Sequence, residues 1–148
     1  MTIDSLAEYV GREIAVTDWF PITQERIDHF AEATEDRQWI HTDPARAAKE
    51  SAYGATIAHG FLTLSLLSYL SNQALAVEGA RMRINYGLNR VRFPSAVRAG
   101  SPVRARFAVH EVKPFAEGVD VTLIATVELQ DSPKPCCVAE WIICYYRA

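Results

Sequence analysis

His59-Gly60-Phe61-Leu62-Thr63-Leu64-Ser65-Leu66-Leu67-Ser68-Tyr69-Leu70-Ser71-Asn72-Gln73-Ala74-Leu75-Ala76 is the stretch whose reading decides the fold. On a helix, Phe61, Leu62, Leu64, Leu66, Leu67, Tyr69 and Leu70 leave no consistently polar face. A helix apolar all round must be enclosed by other elements. His59, Thr63, Ser65 and Ser68 interrupt the run, and the apolar part is too short to cross a bilayer, which takes about 20 apolar residues. No membrane insertion is therefore expected, and enclosure falls to the rest of the chain.

Downstream of Gly79 the apolar period changes from helical to alternating. Val119, Val121, Leu123, Ala125, Val127 and Leu129 alternate with Asp120, Thr122, Ile124, Thr126 and Glu128, the pattern of a half-buried strand. Arg104 to Val112 and Val138 to Tyr146 predict two more strands, set off by the turn formers Glu117-Gly118 and Asp131-Ser132-Pro133. Met82 to Tyr86 and Val91 to Phe93 predict shorter ones. Upstream, Ser5 and Glu8 have capping-box spacing ahead of a short helix stopping near Gly11. Trp19 to Ile22 reads as extended, and Thr23 caps a helix to about Thr34 with Ile27, Phe30, Ala31 and Thr34 on one stripe. Asp43-Pro44 is an N-cap and first-turn proline ahead of a helix over Ala45 to Glu50. One enclosed helix followed by an antiparallel meander predicts an α+β fold, with an antiparallel sheet wrapped around a long central helix.

The 148 residues fit one domain, 1–148, with no repeat, linker or low-complexity segment. Apolar residues make up 49% and charged residues 22%, which excludes a disordered or fibrous chain. A formal net charge of −3 excludes a generally basic nucleic-acid binder. Cys136 and Cys137 are adjacent, Cys144 makes the count odd, and no Cys-x-x-Cys occurs, which points to a reducing compartment without a zinc knuckle or redox pair. Asp4 and Glu8 stand where a signal peptide would carry positive charge, so a cytoplasmic location is expected.

Chemistry concentrates in Thr34-Glu35-Asp36-Arg37-Gln38-Trp39-Ile40-His41-Thr42-Asp43-Pro44. Asp36 and His41 lie in a punctuated loop between two helices, and converging on one water they would make an acid–base pair. The alternative is that Asp36 caps a helix and His41 satisfies a backbone group. Gly60 opens the enclosed helix, whose first amides have no partner within it and suit a developing oxyanion. Alternatively, that glycine serves helix packing alone. His59 reads as a structural histidine with its nitrogens satisfied. His41 and Asp43 could begin a metal site, but no further ligands cluster in the sequence. A Gly-rich dinucleotide loop is absent as well, so neither a metal nor a redox cofactor is expected.

Together these residues resemble the MaoC-like family of (R)-specific enoyl-CoA hydratases, which have the hot-dog fold. The family pattern Gly-Asp-x-Asn-Pro-Ile-His, followed by His-Gly and an apolar helix, is matched by Asp36, His41, Asp43, Pro44, His59 and Gly60. Seventeen residues separate His41 from His59. Ile84 to Pro94 and Gly100-Ser101 look similar too, and Gln38-Trp39 resembles the nodulation-protein-N-like branch. The likeness covers nearly the whole chain. It implies hydration of trans-2-enoyl-CoA to (R)-3-hydroxyacyl-CoA and the reverse dehydration, with Asp36 and His41 catalytic. It also implies that Gly60 binds the thioester carbonyl and that Ser65 is placed for substrate binding, although Ser65 reads equally well as a small residue for close helix–sheet contact. The implied partners are an acyl-CoA or acyl carrier protein thioester and a second copy of the chain. CoA enters only as part of the substrate, and Arg81, Arg83, Arg90, Arg92 and Lys113 are candidates for its phosphates. Two rivals share the pattern: a hot-dog thioesterase and a non-catalytic acyl-thioester-binding module. One departure is Glu35, where the family has glycine. If that position requires positive φ, glutamate there is strained by about 1 kcal/mol or more. Its carboxylate is expected to point to solvent.

Overall fold

The computed structural model describes residues 1–148. After a 3-10 helix at Ile3–Tyr9 come β1 (Glu13–Val16), β2 (Phe20–Pro21), α1 (Gln24–Thr34), α2 (Trp39–Thr42) and α3 (Pro44–Glu50). They are followed by α4 (Gly60–Ser65), α5 (Leu67–Ala74) and β3 (Ala80–Arg92). The long strands β4 (Pro102–Phe115), β5 (Gly118–Leu129) and β6 (Cys137–Arg147) complete the chain. All strand pairs are antiparallel, in the order β1-β4-β5-β6-β3, with β2 beside β4.

Alternation along the three long strands decides which face is the inner one. Val103, Ala105, Phe107 and Val109 of β4 are buried beside Val121, Leu123, Ala125 and Val127 of β5 and Ala139, Trp141 and Ile143 of β6. Leu62, Leu66, Leu67 and Leu70 of the helical segment join the same core. Fully burying a side chain of this kind is worth about 1.5–3 kcal/mol, so this seam holds the helix on the sheet. The expected α+β architecture is present: a helix lies on the inner face of a long antiparallel sheet.

Three details differ from the sequence reading. The central helix is not continuous, because it breaks at Leu66 into α4 and α5. The Ser65 hydroxyl donates to the Phe61 carbonyl at 2.7 Å, a back-bond of the kind that bends helices. Met82–Tyr86 and Val91–Phe93 are not two short strands, since β3 joins them through register shifts at Asn85/Gly87 and Leu88/Val91. Bulges of this sort interrupt side-chain alternation while strand pairing continues. At the N-terminus the capping residue is Thr2, whose hydroxyl accepts from the Ser5 amide, so the first helical turn begins earlier than Ser5.

Enclosure of the helix is also incomplete. Phe61 and Tyr69 remain exposed, as do Met82, Ile84, Tyr86 and Leu88 along β3, whose outer edge has no partner strand in this chain.

Gly118, from the expected turn, opens β5 where the backbone of β6 crosses closely. A Cβ there would overlap the carbonyl oxygen of Tyr145. Gly118→Ala is expected to destabilise the fold by about 1–3 kcal/mol. Urea unfolding checks this, and an unchanged midpoint would contradict it.

Candidate active site

Residues around Asp36 are delivered by three short-range rules. Thr23 caps α1, accepting from the Arg26 amide at 3.2 Å. The helix ends on Glu35 in the left-handed region, φ 63° and ψ 9°, which turns the chain back sharply. Asp43 then caps α3 by accepting from the Arg46 amide at 3.0 Å, with Pro44 in the first turn. Between these stops the loop forms one further helical turn, α2, which the sequence did not signal and which carries His41.

His41 is buried and held at several points. Its Nδ1 lies 2.6 Å from the Ile57 carbonyl, so the neutral ring carries its proton there and leaves Nε2 as an acceptor. The Gln24 side-chain amide donates to the His41 carbonyl at 2.7 Å, and the Thr56 hydroxyl bonds to the Gln24 side-chain oxygen. Burial pushes the pKa of His41 below its ordinary 6.5, opposed by the bond to Ile57 and reinforced by neighbouring His59.

Residues 56–58 cross antiparallel to 97–99, with Ala58 donating to Val97 at 2.7 Å and Ala99 to Thr56 at 2.9 Å. That pairing aims the chain into α4, so His59 caps the helix and Gly60 is its first residue. The Gly60 amide has no acceptor within the helix. A Cβ on Gly60 would meet three carbons of the Phe93 ring at 3.0–3.1 Å, so a side chain there would push the ring back from the helix start.

Asp36, His41 and His59 each contribute a polar atom to a group within 4.8 Å of one another. The Asp36 carboxylate remains half exposed, while both imidazoles are buried. The two rings stack at 3.8 Å with 24° between their planes. Their in-plane lone pairs therefore lie in nearly parallel planes and do not converge on one point, which is poor geometry for a shared metal ion. Asp43 is occupied as a helix cap and offers no further ligand there.

The expected pair, Asp36 and His41, is thus brought together, with His59, the residue before Gly60, as the third member of the cluster. Ser65 is placed elsewhere: it is exposed, its hydroxyl is taken by Phe61, and it lines a groove with Leu64, Leu67, Ser68, Tyr86 and Trp141. His59 departs from its expected reading, because one of its nitrogens, Nδ1, is buried without a partner. Gln24 and Thr56 were missed, since polar residues outside a motif carry no sequence signal for a contact 17 or 32 residues away. Glu35 does have positive φ, and its exposed carboxylate pairs with Arg37.

Residues 5–129 match the family described as MaoC like domain. The chain is 48% identical over 145 residues to 3-hydroxyacyl-thioester dehydratase Z of Mycobacterium tuberculosis, covering 97% of this chain and 95% of that protein. It is 42% identical over 144 residues to Nodulation protein N of Rhizobium leguminosarum, covering 96% and 89%. Among solved structures, R-hydratase PhaJ1 from Pseudomonas aeruginosa superposes with a TM-score of 0.76 at 26% identity, covering 94% of this chain and 83% of the other.

Two outcomes are expected from this geometry. Glu35→Gly removes the left-handed strain at the loss of only an exposed ion pair, and is expected to raise stability by about 1 kcal/mol with activity kept or raised. A lowered melting temperature would contradict this. A histidine whose folded pKa lies below 6.5 binds its proton more readily in the unfolded chain. Its contribution to stability is therefore present above pH 6.5 and lost as pH falls through the folded value. Denaturation at stepped pH should show His41→Gln losing less stability than wild type across that window.

Proposed function

This chain belongs to the MaoC-like family, and from that membership together with the Asp36–His41–Gly60 geometry we propose that it hydrates trans-2-enoyl thioesters to (R)-3-hydroxyacyl thioesters, and catalyses the reverse dehydration. The observation that carries the reading is the meeting of a half-exposed carboxylate with two buried imidazoles, one of them on the residue just before the helix-start amide of Gly60.

A conjugated thioester is electrophilic at its β-carbon. Water attacks there, a C–O bond forms, the double-bond electrons move toward the carbonyl, and negative charge collects on the thioester oxygen. The Gly60 amide stabilises that charge, a contribution typically worth about 3 kcal/mol. Asp36 accepts a proton from the attacking water while Nε2 of His41 accepts a hydrogen bond from it and fixes its orientation. Return of a proton to the α-carbon completes the addition. The low pKa of His41 favours the neutral ring this role needs. No step calls for a metal or redox cofactor.

Exposed Arg81, Arg90 and Arg92 along β3 suit phosphate groups of a CoA or carrier-protein thioester. Arg83 and Lys113 suit it less: Arg83 donates to the Ser68 carbonyl at 2.9 Å, and Lys113 pairs with Glu111 at 3.0 Å. The groove beside Ser65, of about 230 Å³, is a place for the acyl chain. The open edge of β3, with Met82, Ile84, Tyr86 and Leu88 exposed, supports a homodimer in which a second copy covers that edge and the outer side of α4. No helix is long and apolar enough to cross a membrane. Three free, buried cysteines support a cytoplasmic location.

Asp36→Asn and His41→Gln are each expected to lower turnover at least ~100-fold while the protein stays folded. Because both act on one water, the double variant should be little worse than the worse single. Steady-state hydration beside thermal melts checks this, and near-normal turnover in folded Asp36→Asn would overturn the mechanism. Light scattering at micromolar concentration is expected to give twice the chain mass; a fully active monomer would contradict the dimer.

A further inference from the structure

We infer that His59 is a positioning residue for this reaction, its ring holding Asp36 and His41 in register with the Gly60 amide. The inference rests on the hydratase reading above. His59 Nε2 lies 2.9 Å from the Asp36 backbone carbonyl, which can only accept, so Nε2 carries the proton. The same nitrogen is 4.0 Å from the Asp36 carboxylate. One face of the ring stacks on His41 at 3.8 Å, and Phe30 packs against the ring at 4.9 Å. The backbone of His59 is the N-cap of α4, immediately before the amide proposed to bind the thioester oxygen. A single residue therefore touches the loop of the base, the ring of the second acid–base group and the start of the helix.

Packing alone does not account for a histidine here. Only 3% of the residue is exposed, and Nδ1 is buried without a donor. A lone pair in that condition is destabilising, and an apolar ring of similar size would avoid it. What phenylalanine could not supply is the Nε2–H bond that pins the Asp36 backbone. That backbone needs pinning, because Asp36 follows a left-handed Glu35 and its own side chain is half exposed.

The test is His59→Phe, which keeps a ring beside His41 and removes the donor, with His59→Gln as the second variant, which keeps an N–H donor and removes the ring. Thermal melts, kcat and KM on a trans-2-enoyl-CoA that the wild type hydrates, and backbone amide spectra of residues 35–41 are recorded for each. His59→Phe should melt no lower than wild type, lose about 10- to 100-fold in kcat, and keep KM within about threefold, because misplacement acts on the reacting geometry more than on binding. The amides of the Asp36 loop should shift or broaden. His59→Gln, which keeps an N–H donor, should lose less kcat than His59→Phe. If His59→Phe does not fold, His59→Leu, which likewise lacks the donor, is expected to show the same kcat loss and spectral change. A folded variant without the donor that keeps kcat within twofold of wild type, or an unchanged loop spectrum, overturns the inference, as does a His59→Gln variant no better than His59→Phe. Should the wild type hydrate no enoyl thioester, the functional reading fails, and the loop spectra alone then decide whether His59 holds the Asp36 loop.

Discussion

Seating of Leu62, Leu66, Leu67 and Leu70 on the inner face of the sheet is the interaction on which the site depends. Once that seam is fixed, α4 must begin at Gly60, and the pairing of residues 56–58 with 97–99 leaves the chain no other line of approach. His59 is then buried at the helix start, and the α1–α3 segment must bring Asp36 and His41 to it. The left-handed turn at Glu35 and the Asp43 cap provide the two corners that let it do so. Apolar packing thus sets the location of the chemistry, and short-range capping sets its orientation.

Much of this is legible in the residues. Strand alternation in 119–129, the Thr23 and Asp43 caps and the apolar run from Phe61 to Leu70 each have a local cause that survives in the fold. Asp36, His41 and Gly60 are legible because the family pattern fixes their spacing. The strain at Glu35 could be anticipated for the same reason, as a side chain standing at a glycine position. What escaped the reading depends on contacts distant in sequence or on backbone irregularity. The clasp of Gln24 on His41, the unpartnered nitrogen of His59 and the single bulged strand from Ala80 to Arg92 have no periodic signature. The break at Leu66, one residue after the Ser65 back-bond, has no periodic signature either.

The apolar surface left on the outside is as informative as the core. A helix without a polar face should be enclosed, yet Phe61 and Tyr69 are exposed. Phe61 packs against Phe93, just beyond β3, an edge strand of 13 residues with large apolar side chains, whereas Tyr69 packs against Phe20 at the other edge of the sheet. In one chain the Asp36 carboxylate stands half open to solvent. Excluding water from that carboxylate would strengthen every electrostatic interaction on which conjugate addition relies. The proposed homodimer would cover the exposed edge of β3.

Configuration of the product tests the central claim most directly. The measurement is hydration of a panel of trans-2-enoyl-CoA thioesters of different acyl length, with loss of enoyl absorbance, free thiol and product chirality followed together. The account predicts loss of the enoyl band without thiol release and a 3-hydroxyacyl product of (R) configuration. An (S) product, thiol release as the only reaction, or saturable binding of every enoyl thioester without turnover would contradict it.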